Sequence, residues 1–308
     1  MNITEIKRNL NKHGWCIVPN ILEESEVKEA KQMFYNWQKT IKNHDYLHKT
    51  IDPHSIYKYH EAGHQEHAWF IRTRPKVKEI FSGLWNTDEL VVSFDGSCYV
   101  DKECQKKDAI WTHSDQAPNN NKLACYQGFV ALTSNKERTL VVYDKTHRIH
   151  NEYFKRRNIV NSKNWNLIDK QDVINAGKLK RVLHVPAGAL VLWDSRTFHQ
   201  NQYGAPSSEE RMVQYVCFLP KNDPKNTEQM SIKRRRYFKE RRTTSHWPYP
   251  LSVNAMQPRT FGDITKNIYY TQLTQSNIYK YMSEIENMIY LLKNFIFFFL
   301  ILKNFFEN

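Results

Sequence analysis

The segment Pro186-Ala187-Gly188-Ala189-Leu190-Val191-Leu192-Trp193-Asp194-Ser195-Arg196-Thr197-Phe198-His199 decides the fold of this chain. A Pro-Ala-Gly turn precedes a short, continuous apolar run, which predicts a buried β-strand. His199 comes just after that run, and we expect it on a strand that is distant in sequence from the other candidate ligands. Its imidazole is therefore a candidate metal ligand on a β framework, the alternative being a surface histidine with no ligand.

Two further candidate ligands lie upstream in His113-Ser114-Asp115. In a strand, residues i and i+2 point to the same face, so His113 and Asp115 can both face one interior. Two imidazoles and one carboxylate form the ligand set of non-haem Fe(II) oxygenases, which leaves positions open for a co-substrate and O₂. The alternative is a surface histidine beside an aspartate in a turn.

Arg211 opens the run Arg211-Met212-Val213-Gln214-Tyr215-Val216, whose alternate residues can face inward. A buried guanidinium matches a carboxylate in bidentate geometry, so Arg211 is a candidate for the far carboxylate of 2-oxoglutarate. The alternative pairs Arg211 with Glu209 or Glu210. Gln127 and Asn201 are predicted to bind the co-substrate, and Gln116 lies near the same pocket, with structural hydrogen bonding as the alternative for all three.

Short β-type segments dominate from Leu90 onward. Without alternating helices they predict an antiparallel sandwich or barrel. The expected strands span 90–94, 127–132, 139–143, 181–185, 189–193 and 212–219. Residues 1–42 are predicted to form a strand at 14–19 and a helix that opens at 23–25. A short helix is predicted at 75–86, a histidine-rich loop at 43–67 and a polar, partly helical insert at 151–175.

Three motifs resemble the phytanoyl-CoA dioxygenase family, and the likeness runs through much of residues 10–250. They are Gly14-Trp15-Cys16-Ile17-Val18-Pro19-Asn20-Ile21-Leu22, Trp111-Thr112-His113-Ser114-Asp115-Gln116 and the segment from Ala187 to His199, followed by Arg211. The resemblance implies a mainly β fold with flanking helices around a double-stranded β-helix (a jelly-roll, cupin-like core). It also implies that His113, Asp115 and His199 are the catalytic Fe(II) ligands and that Arg211 holds 2-oxoglutarate, with O₂ as the second co-substrate.

The activity implied by the resemblance is hydroxylation of a C–H bond in a small-molecule or lipid-like acyl substrate, with release of succinate and CO₂. The segment Thr139 to His147 resembles the family's pocket-mouth turn but lacks its Gly and Pro, so no particular substrate is implied. Asp115 is a carboxylate, which disfavours the halide-accepting variant of this chemistry. Two alternatives stay open: a catalytically silent jelly-roll binding module and an oxygenase that acts on nucleic acid.

The chain is strongly basic, with 45 Lys and Arg against 32 Asp and Glu, a formal charge of +13 and a pI of about 9.4. Such a field favours anionic partners. The run at 233–242, Lys-Arg-Arg-Arg-Tyr-Phe-Lys-Glu-Arg-Arg, is predicted to be a solvated basic helix, with contact to nucleic acid as the alternative. Trp247-Pro248-Tyr249-Pro250 then predicts extended chain that wraps a surface.

The five cysteines form no C-x-x-C pair, and the N-terminus lacks the apolar region of a secretory signal. We therefore expect a reducing, cytoplasmic compartment, and a monomer or homodimer. Domain boundaries are predicted at 1–264 for the oxygenase and 265–308 for an apolar tail. Within residues 288–306 the uninterrupted apolar run of eight, 295–302, is too short to span a bilayer; a tail anchor, an interfacial helix or a packing segment stay open.

Two rival motifs are also present. His60-Glu61-Ala62-Gly63-His64 fits the H-E-x-x-H zinc-protease pattern, with His67 as a third ligand. That site needs a helix, which Gly63 disfavours, so the segment is predicted to be an exposed loop over the active site. Arg72-Thr73-Arg74 is a candidate for binding an anionic substrate group, the alternative being ion pairs with Glu79 or Asp88.

Overall fold

A computed structural model describes residues 2–42, 44–45, 48 and 54–253. The described helices are α1 (Ile3–His13), α2 (Glu24–Thr40), α3 (Glu66–Arg72), α4 (Pro75–Trp85), α5 (Thr146–Arg156), α6 (Lys170–Asn175) and α7 (Glu228–Lys239). The strands are β1 (Trp15–Val18), β2 (Leu90–Val92), β3 (Ser97–Val100), β4 (His113–Ser114), β5 (Tyr126–Ala131), β6 (Leu140–Tyr143), β7 (Asn166–Leu167), β8 (Lys180–Val182), β9 (Leu190–Asp194), β10 (His199–Asn201), β11 (Arg211–Val216) and β12 (Phe218–Pro220). The predicted boundary near 265 and the tail at 265–308 lie outside the described residues.

Two five-stranded sheets form the β framework, with strand orders β1-β9-β5-β11-β3 and β7-β4-β10-β6-β8, and β12 pairs with β2 in a separate ribbon. Every one of these pairings is antiparallel. Most neighbours in the sheets are distant in sequence, so the chain crosses repeatedly between the two sheets. The predicted combination of antiparallel sheets with flanking helices is confirmed.

Both sheets contribute to one apolar core. Phe129, Trp193 and Val213 from the first sheet are buried in the same cluster as Leu140 and Val142 from the second. Inward side chains alternate with outward ones along each strand, so a cluster that draws on both sheets shows that they share an interior. Burial of this apolar surface is the main term that stabilises the framework.

The first helix, α1, is absent from the sequence-based prediction. The Asn2 side chain caps it by accepting a hydrogen bond from the Glu5 backbone N–H at 3.0 Å, and Gly14 ends it at φ +88°. A Cβ at Gly14 would lie 2.5 Å from Nδ1 of His147, so this turn requires glycine for both conformation and space. The turn delivers the chain into β1, where Trp15 pairs with Trp193 of β9.

Several predicted elements are confirmed with shifted ends. The strand at 14–19, the helix after Glu23, the helix that starts at Pro75 and the strands at 126–131, 140–143, 190–194 and 211–216 are present. The insert at 151–175 is partly helical as expected, although α5 already begins at Thr146. The short strands β3 and β7 are not in the prediction. β4 and β10 confirm that His113 and His199 lie on strands, although the prediction gives no bounds for either. The 43–67 loop gives way to α3 from Glu66.

The H-E-x-x-H segment does not form a zinc-binding α-helix. Glu61 has a left-handed backbone and precedes a single 3-10 turn, Ala62–His64. His64 is fully buried, and its Nε2 lies 2.9 Å from the Arg242 carbonyl. The prediction of an exposed loop is wrong here, because Glu61 and the four residues after it are buried.

The two arginines of Arg72-Thr73-Arg74 form ion pairs, but not with the expected partners. Arg72 is buried and contacts Asp95 at 3.4 Å, and Arg74 contacts Glu26 at 3.2 Å. Their predicted pairing with Glu79 or Asp88 is therefore wrong. Asp95 and Glu26 lie in distant segments, and the sequence alone gives no indication that they contact Arg72 and Arg74.

The basic run lies mostly on α7, as predicted, and fixes the segment that follows it. We call residues 243–253 the C-terminal strap. Lys233 Nζ donates to the Leu251 carbonyl at 2.7 Å, and Arg234 donates to the Pro248 carbonyl. Arg241 forms a buried ion pair with Glu61. Much of the positive charge in the run is thus engaged within the chain. None of the described helices combines the length and apolarity needed to cross a bilayer.

Candidate metal centre

His113, Asp115 and His199 meet at one point of the second sheet. His113 on β4 pairs directly with His199 on β10, and Asp115 follows β4 with its backbone N–H bonded to the Ser195 carbonyl at 3.0 Å. One ligand atom from each residue lies within 4.8 Å of the other two, and all three side chains are buried. Across the described chain, no other group of three His, Cys, Asp or Glu side chains meets this condition.

The two imidazoles are held in the orientation that metal binding requires. Nδ1 of His113 lies 3.1 Å from the Trp111 carbonyl, and Nδ1 of His199 lies 2.9 Å from the Thr197 carbonyl. Because a carbonyl can only accept, each Nδ1 carries the proton and each Nε2 keeps its lone pair. Nε2 of His199 and of His113 lie 3.1 and 3.7 Å from the Asp115 carboxylate oxygens. The donor set fits a divalent transition metal.

The protonation states also suit a cation. Burial lowers the pKa of His113 to about 3, with His199 adding to the shift and Asp115 opposing it. Burial alone would raise the pKa of Asp115, but His113, His246 and His199 hold that pKa below its usual range. At neutral pH the cluster therefore offers a neutral His113 and a carboxylate, which is the form that binds a metal ion.

Gln127 fixes the metal-binding carboxylate. Its Nε2 on β5 donates to Oδ2 of Asp115 at 2.9 Å, and both side chains are buried. Gln116 is instead tied into the surrounding loop, where its Nε2 donates to the Asn120 and Lys122 carbonyls at 2.6 and 2.8 Å. Gln116 thus has the structural role that the sequence left open, and Gln127 touches the metal cluster itself.

Arg211 is almost fully buried, at 1% exposure, and lacks a carboxylate partner among the described residues. Its Nη1 contacts only the Cys98 thiol, at 3.4 Å, its Nη2 has no hydrogen-bond partner, and its guanidinium lies 5.5 Å from the Phe129 ring centre. The alternative pairing with Glu209 or Glu210 does not occur, since those carboxylates bond elsewhere. A buried guanidinium with so few partners is a site for an anion.

Asn201 lies near both the candidate metal cluster and Arg211. It lies two residues after His199 on β10, so both side chains point to the same face. Asn201 Nδ2 donates to the Tyr215 hydroxyl at 3.0 Å and lies 4.0 Å from the Cys98 sulfur, while its Oδ1 is buried without a partner. Arg211 contacts the same Cys98 sulfur through its Nη1.

A cavity of about 820 Å³ opens on the metal cluster. Its lining includes His113, Asp115, His199, Gln127 and Asn201, so the structure brings five predicted site residues to one cavity, whereas Arg211 is not among the lining residues. The strap supplies another wall through a run of residues that includes His246 and Trp247. Nε2 of His246 and Nε1 of Trp247 are buried there without hydrogen-bond partners.

The sequence prediction omitted several lining residues. Lys58, Lys163 and Trp165 come from loops, and His246 comes from the strap. The Trp-Pro-Tyr-Pro segment predicted chain that wraps a surface, which is correct, but not that the surface is the cavity. A single sequence carries no pattern that would relate these loops to the metal ligands.

The chain resembles one curated relative and several solved structures. "Ava biosynthesis cluster protein O" of Aspergillus versicolor is 32% identical over 179 residues, which cover 53% of this chain and 57% of that protein. The chain thus spans a little over half the length of the curated relative that it matches. No protein-family model matches the chain.

Two solved structures share the fold. GlcNAc Inducible Gene 2 (DUF1479) from Candida albicans superposes with a TM-score of 0.55 at 14% identity, over 70% of this chain and 63% of that one. HygX from Streptomyces hygroscopicus, solved with nickel and 2-oxoglutarate bound, gives 0.50 at 9% identity, over 71% and 87%. At such identities the likeness establishes the fold alone.

Proposed function

We propose that this chain is an Fe(II)- and 2-oxoglutarate-dependent oxygenase that hydroxylates a C–H bond of a small molecule. The observation that carries the proposal is the buried His113–Asp115–His199 cluster, in which the lone pairs of both imidazoles face the carboxylate. Two imidazoles and a carboxylate on one face are the ligand set of this enzyme class. Bound Fe(II), with 2-oxoglutarate and O₂, would supply the oxidant for the C–H bond and release succinate and CO₂.

Arg211 supports 2-oxoglutarate as the co-substrate. Its guanidinium is buried with an unpartnered Nη2, and a carboxylate is the ligand that satisfies such a group in bidentate fashion. The Cys98 thiol, a weak partner at 3.4 Å, would give way to the incoming carboxylate. Asn201, which shares β10 with His199 and contacts the same Cys98 sulfur as Arg211, would supply a further hydrogen bond to the co-substrate.

The remaining residues of the centre position groups and exclude water. Gln127 holds the Asp115 carboxylate by one hydrogen bond, which leaves the other oxygen free for the metal. The carbonyls of residues 111 and 197 hold the imidazole protons away from the ion. The strap and the rings around the cavity shield the reacting atoms from bulk solvent, which strengthens every polar interaction inside.

We further propose that the framework is a double-stranded β-helix of the phytanoyl-CoA dioxygenase type. The two five-stranded antiparallel sheets with a shared apolar core support this, as do the three motifs at residues 14–22, 111–116 and 187–199. The fold shared with HygX, which was solved with 2-oxoglutarate bound, and the likeness to a biosynthesis-cluster protein are in keeping with an enzyme of small-molecule metabolism.

An anaerobic titration tests the proposal. Fe(II) and 2-oxoglutarate added together should produce a visible metal-to-ligand charge-transfer band, and His199→Ala should abolish it. His184→Ala, at an exposed position, is the matched control and should leave the band unchanged. Admission of air should then release succinate. A band without any succinate, across a metabolite library, would favour the silent binding module; the lack of a band would overturn the oxygenase.

A further inference from the structure

We infer that the cavity beside the metal centre binds an aromatic substrate carrying an acidic group, and that Lys58 and Lys163 bind that group. The inference rests on the proposed function, because it assigns the substrate class for the same site. Three features of the cavity carry it: its volume, the side chains of its walls and its charge.

The cavity is too large for the co-substrate alone. Its volume is about 820 Å³, near the upper part of the range of about 300–1000 Å³ that drug-sized ligands occupy. 2-Oxoglutarate is a small dicarboxylate and would fill only the part next to His199 and Asn201. The remaining space can hold a molecule of several rings.

The walls next to the metal are aromatic. The Trp111 ring is stacked between two histidines. Its centre lies 4.9 Å from the ring centre of His113 and 3.8 Å from that of His54. Trp165 lies 5.5 Å from His113, and Trp247 of the strap also lines the cavity. Flat ring surfaces favour flat apolar ligands through stacking and area burial. The faces of Trp111 are occupied by these two histidines, so Trp165 and Trp247 are the ring surfaces left for a ligand, and a ring that packs against Trp165 lies beside His113.

An unbranched acyl chain fits these walls less well. Of the aliphatic side chains of the described residues, only those of Ile56, Leu140, Pro250 and Leu251 line the cavity. Trp165 lines the cavity and keeps 49% of its surface exposed, so part of its ring is open to a ligand. The balance of the lining favours an aromatic over an aliphatic substrate.

The two carboxylates that line the cavity are engaged by other residues, so the remaining charge of the lining is positive. Asp115 belongs to the metal cluster, and Asp95 is buried 3.4 Å from Arg72. Lys58 and Lys163 also line the cavity, and neither ammonium has a carboxylate partner within the described ranges. Lys58 lines the cavity together with His54, and Lys163 lines it two residues before Trp165. Two ammonium groups that have no carboxylate partner among the described residues, in a lining rich in rings, select an anion on an aromatic body.

A matched pair of fluorescent probes tests the inference without knowledge of the natural substrate. The probes are 1-anilinonaphthalene-8-sulfonate and N-phenyl-1-naphthylamine, which share a ring system and differ in the sulfonate. Both are titrated at fixed ionic strength into the wild-type chain, with and without Fe(II) and 2-oxoglutarate under anoxia. The variants are Lys58→Met with Lys163→Met, then Trp165→Ala, and Lys170→Met as a control at an exposed position on α6.

The sulfonate probe should bind more tightly than the neutral probe. The double lysine variant should raise its Kd about tenfold, equal to about 1.4 kcal/mol, and leave the neutral probe unchanged. Trp165→Ala should weaken both probes to a similar degree, and Lys170→Met should change neither. Together these results would assign the ring surface and the two cations to one site.

Three outcomes would overturn the inference: equal affinity for both probes, a sulfonate preference that survives loss of both lysines, or an altered Kd for 2-oxoglutarate in the lysine variant. An altered Kd for 2-oxoglutarate would assign the two lysines to the co-substrate site instead of the substrate site. The probes are also titrated without metal, so their binding can be measured even if no charge-transfer band forms. In the same way, a band can form even if the probes do not show the expected preference. The two proposals therefore fail independently.

Discussion

Replacing Arg211 by methionine should abolish tight 2-oxoglutarate binding and yet leave the apo protein at least as stable as the wild type. The two effects have opposite signs because the guanidinium has one weak partner in the apo structure, the Cys98 thiol at 3.4 Å, and an unpartnered Nη2. Methionine keeps much of the volume of the side chain and removes the buried charge. A purely structural arginine would not behave in this way.

The loss of affinity follows from the burial of the group. Removing one partner of a buried, hydrogen-bonded charge pair costs about 2–5 kcal/mol. At about 1.4 kcal/mol per factor of ten, the Kd for 2-oxoglutarate should rise by about 30-fold or more. The absorbance of the charge-transfer band under anoxia measures this Kd directly, and Fe(II) affinity should stay unchanged.

The change in stability is compared with that of a second buried arginine. Arg138 is also 1% exposed, but its guanidinium donates to the carbonyls of Tyr203, Lys102, Glu209 and Cys104 at 2.7–3.0 Å. Each carbonyl left unsatisfied costs about 1–3 kcal/mol, so Arg138→Met should lower the free energy of unfolding by about 3 kcal/mol or more. Arg211→Met should change it by about 0 to +2 kcal/mol, because replacing a poorly paired buried charge is often neutral or stabilising.

Urea unfolding of the apo proteins gives both stabilities, and the titration gives both affinities. Arg138→Met should bind 2-oxoglutarate normally at a temperature where it is folded. The reasoning is refuted if Arg211→Met destabilises the apo protein as much as Arg138→Met does, or if it binds 2-oxoglutarate with the wild-type Kd. The first result would make Arg211 a structural residue, and the second would assign the co-substrate carboxylate to another cation.

Three further predictions follow from the same contacts. Gln127→Leu should weaken Fe(II) binding by about 10- to 100-fold, because Asp115 loses the hydrogen bond that orients it; an unchanged Fe(II) titration would rule this out. Arg241→Met should lower the free energy of unfolding by about 3–5 kcal/mol, because Glu61 is left as a buried unpaired charge, whereas the exposed Arg235→Met in the same basic run should have almost no effect; equal urea midpoints would contradict it. The apo protein should lose stability as the pH falls below about 6.5, by up to about 1.4 kcal/mol per pH unit for each buried histidine whose folded pKa is depressed. The unfolded chain takes up these protons near pH 6.5 and the folded chain does not. The free energy of unfolding measured in urea should therefore fall from pH 7 to pH 6 to pH 5. Equal values at the three pH values would refute the prediction. The histidines concerned are His48, with a pKa of about 4, and His67 and His113, each with a pKa of about 3, in all three cases mainly through burial.

The sequence predicts the long strands of this fold well and the short ones poorly. β5, β9 and β11 have five or six residues each, enough for an apolar or alternating pattern to stand out. β4 and β10, which carry the histidine ligands, have two and three residues. No periodicity exists at that length, so only the chemistry of the His-x-Asp spacing and the later histidine could find them.

The N-terminal helix is a different kind of omission, because its signals are present in the sequence. Asn2 is a favourable N-cap, Gly14 is a favourable C-terminal residue, and the buried Ile6 and Leu10 are spaced by one helical turn. The two caps and the spacing of the apolar residues both indicate α1, whereas the strand motif at 14–19 carries no information about the helix that precedes it.

The contacts that define the candidate site could not be read from one sequence. That Gln127 reaches Asp115, and that no carboxylate of the described residues reaches Arg211, depends on the strand register, in which Gln127 lies opposite Trp193 and Arg211 opposite Val100. Lys58 and Lys163 lie in separate loops, and only the folded chain brings both to the lining of one cavity. The candidate metal ligands are predictable because their spacing is visible in the sequence. The loop residues that line the cavity are not, because only folding brings them together.

The strap separates two properties of the protein: which molecules fit the cavity, and which residues form the candidate metal site. His113, His199 and Arg211 lie on paired strands and Asp115 directly follows one, whereas one wall of the cavity is the strap. The strap is held by Lys233 and Arg234, and its Thr243 and Thr244 side chains accept hydrogen bonds from the backbone of Gly63 and Phe94. Exchange of side chains at 245–247 and 250–252 would alter which molecules fit the cavity without moving any candidate metal ligand. Substitutions within one short segment can therefore change what the cavity accepts while the candidate metal site stays the same.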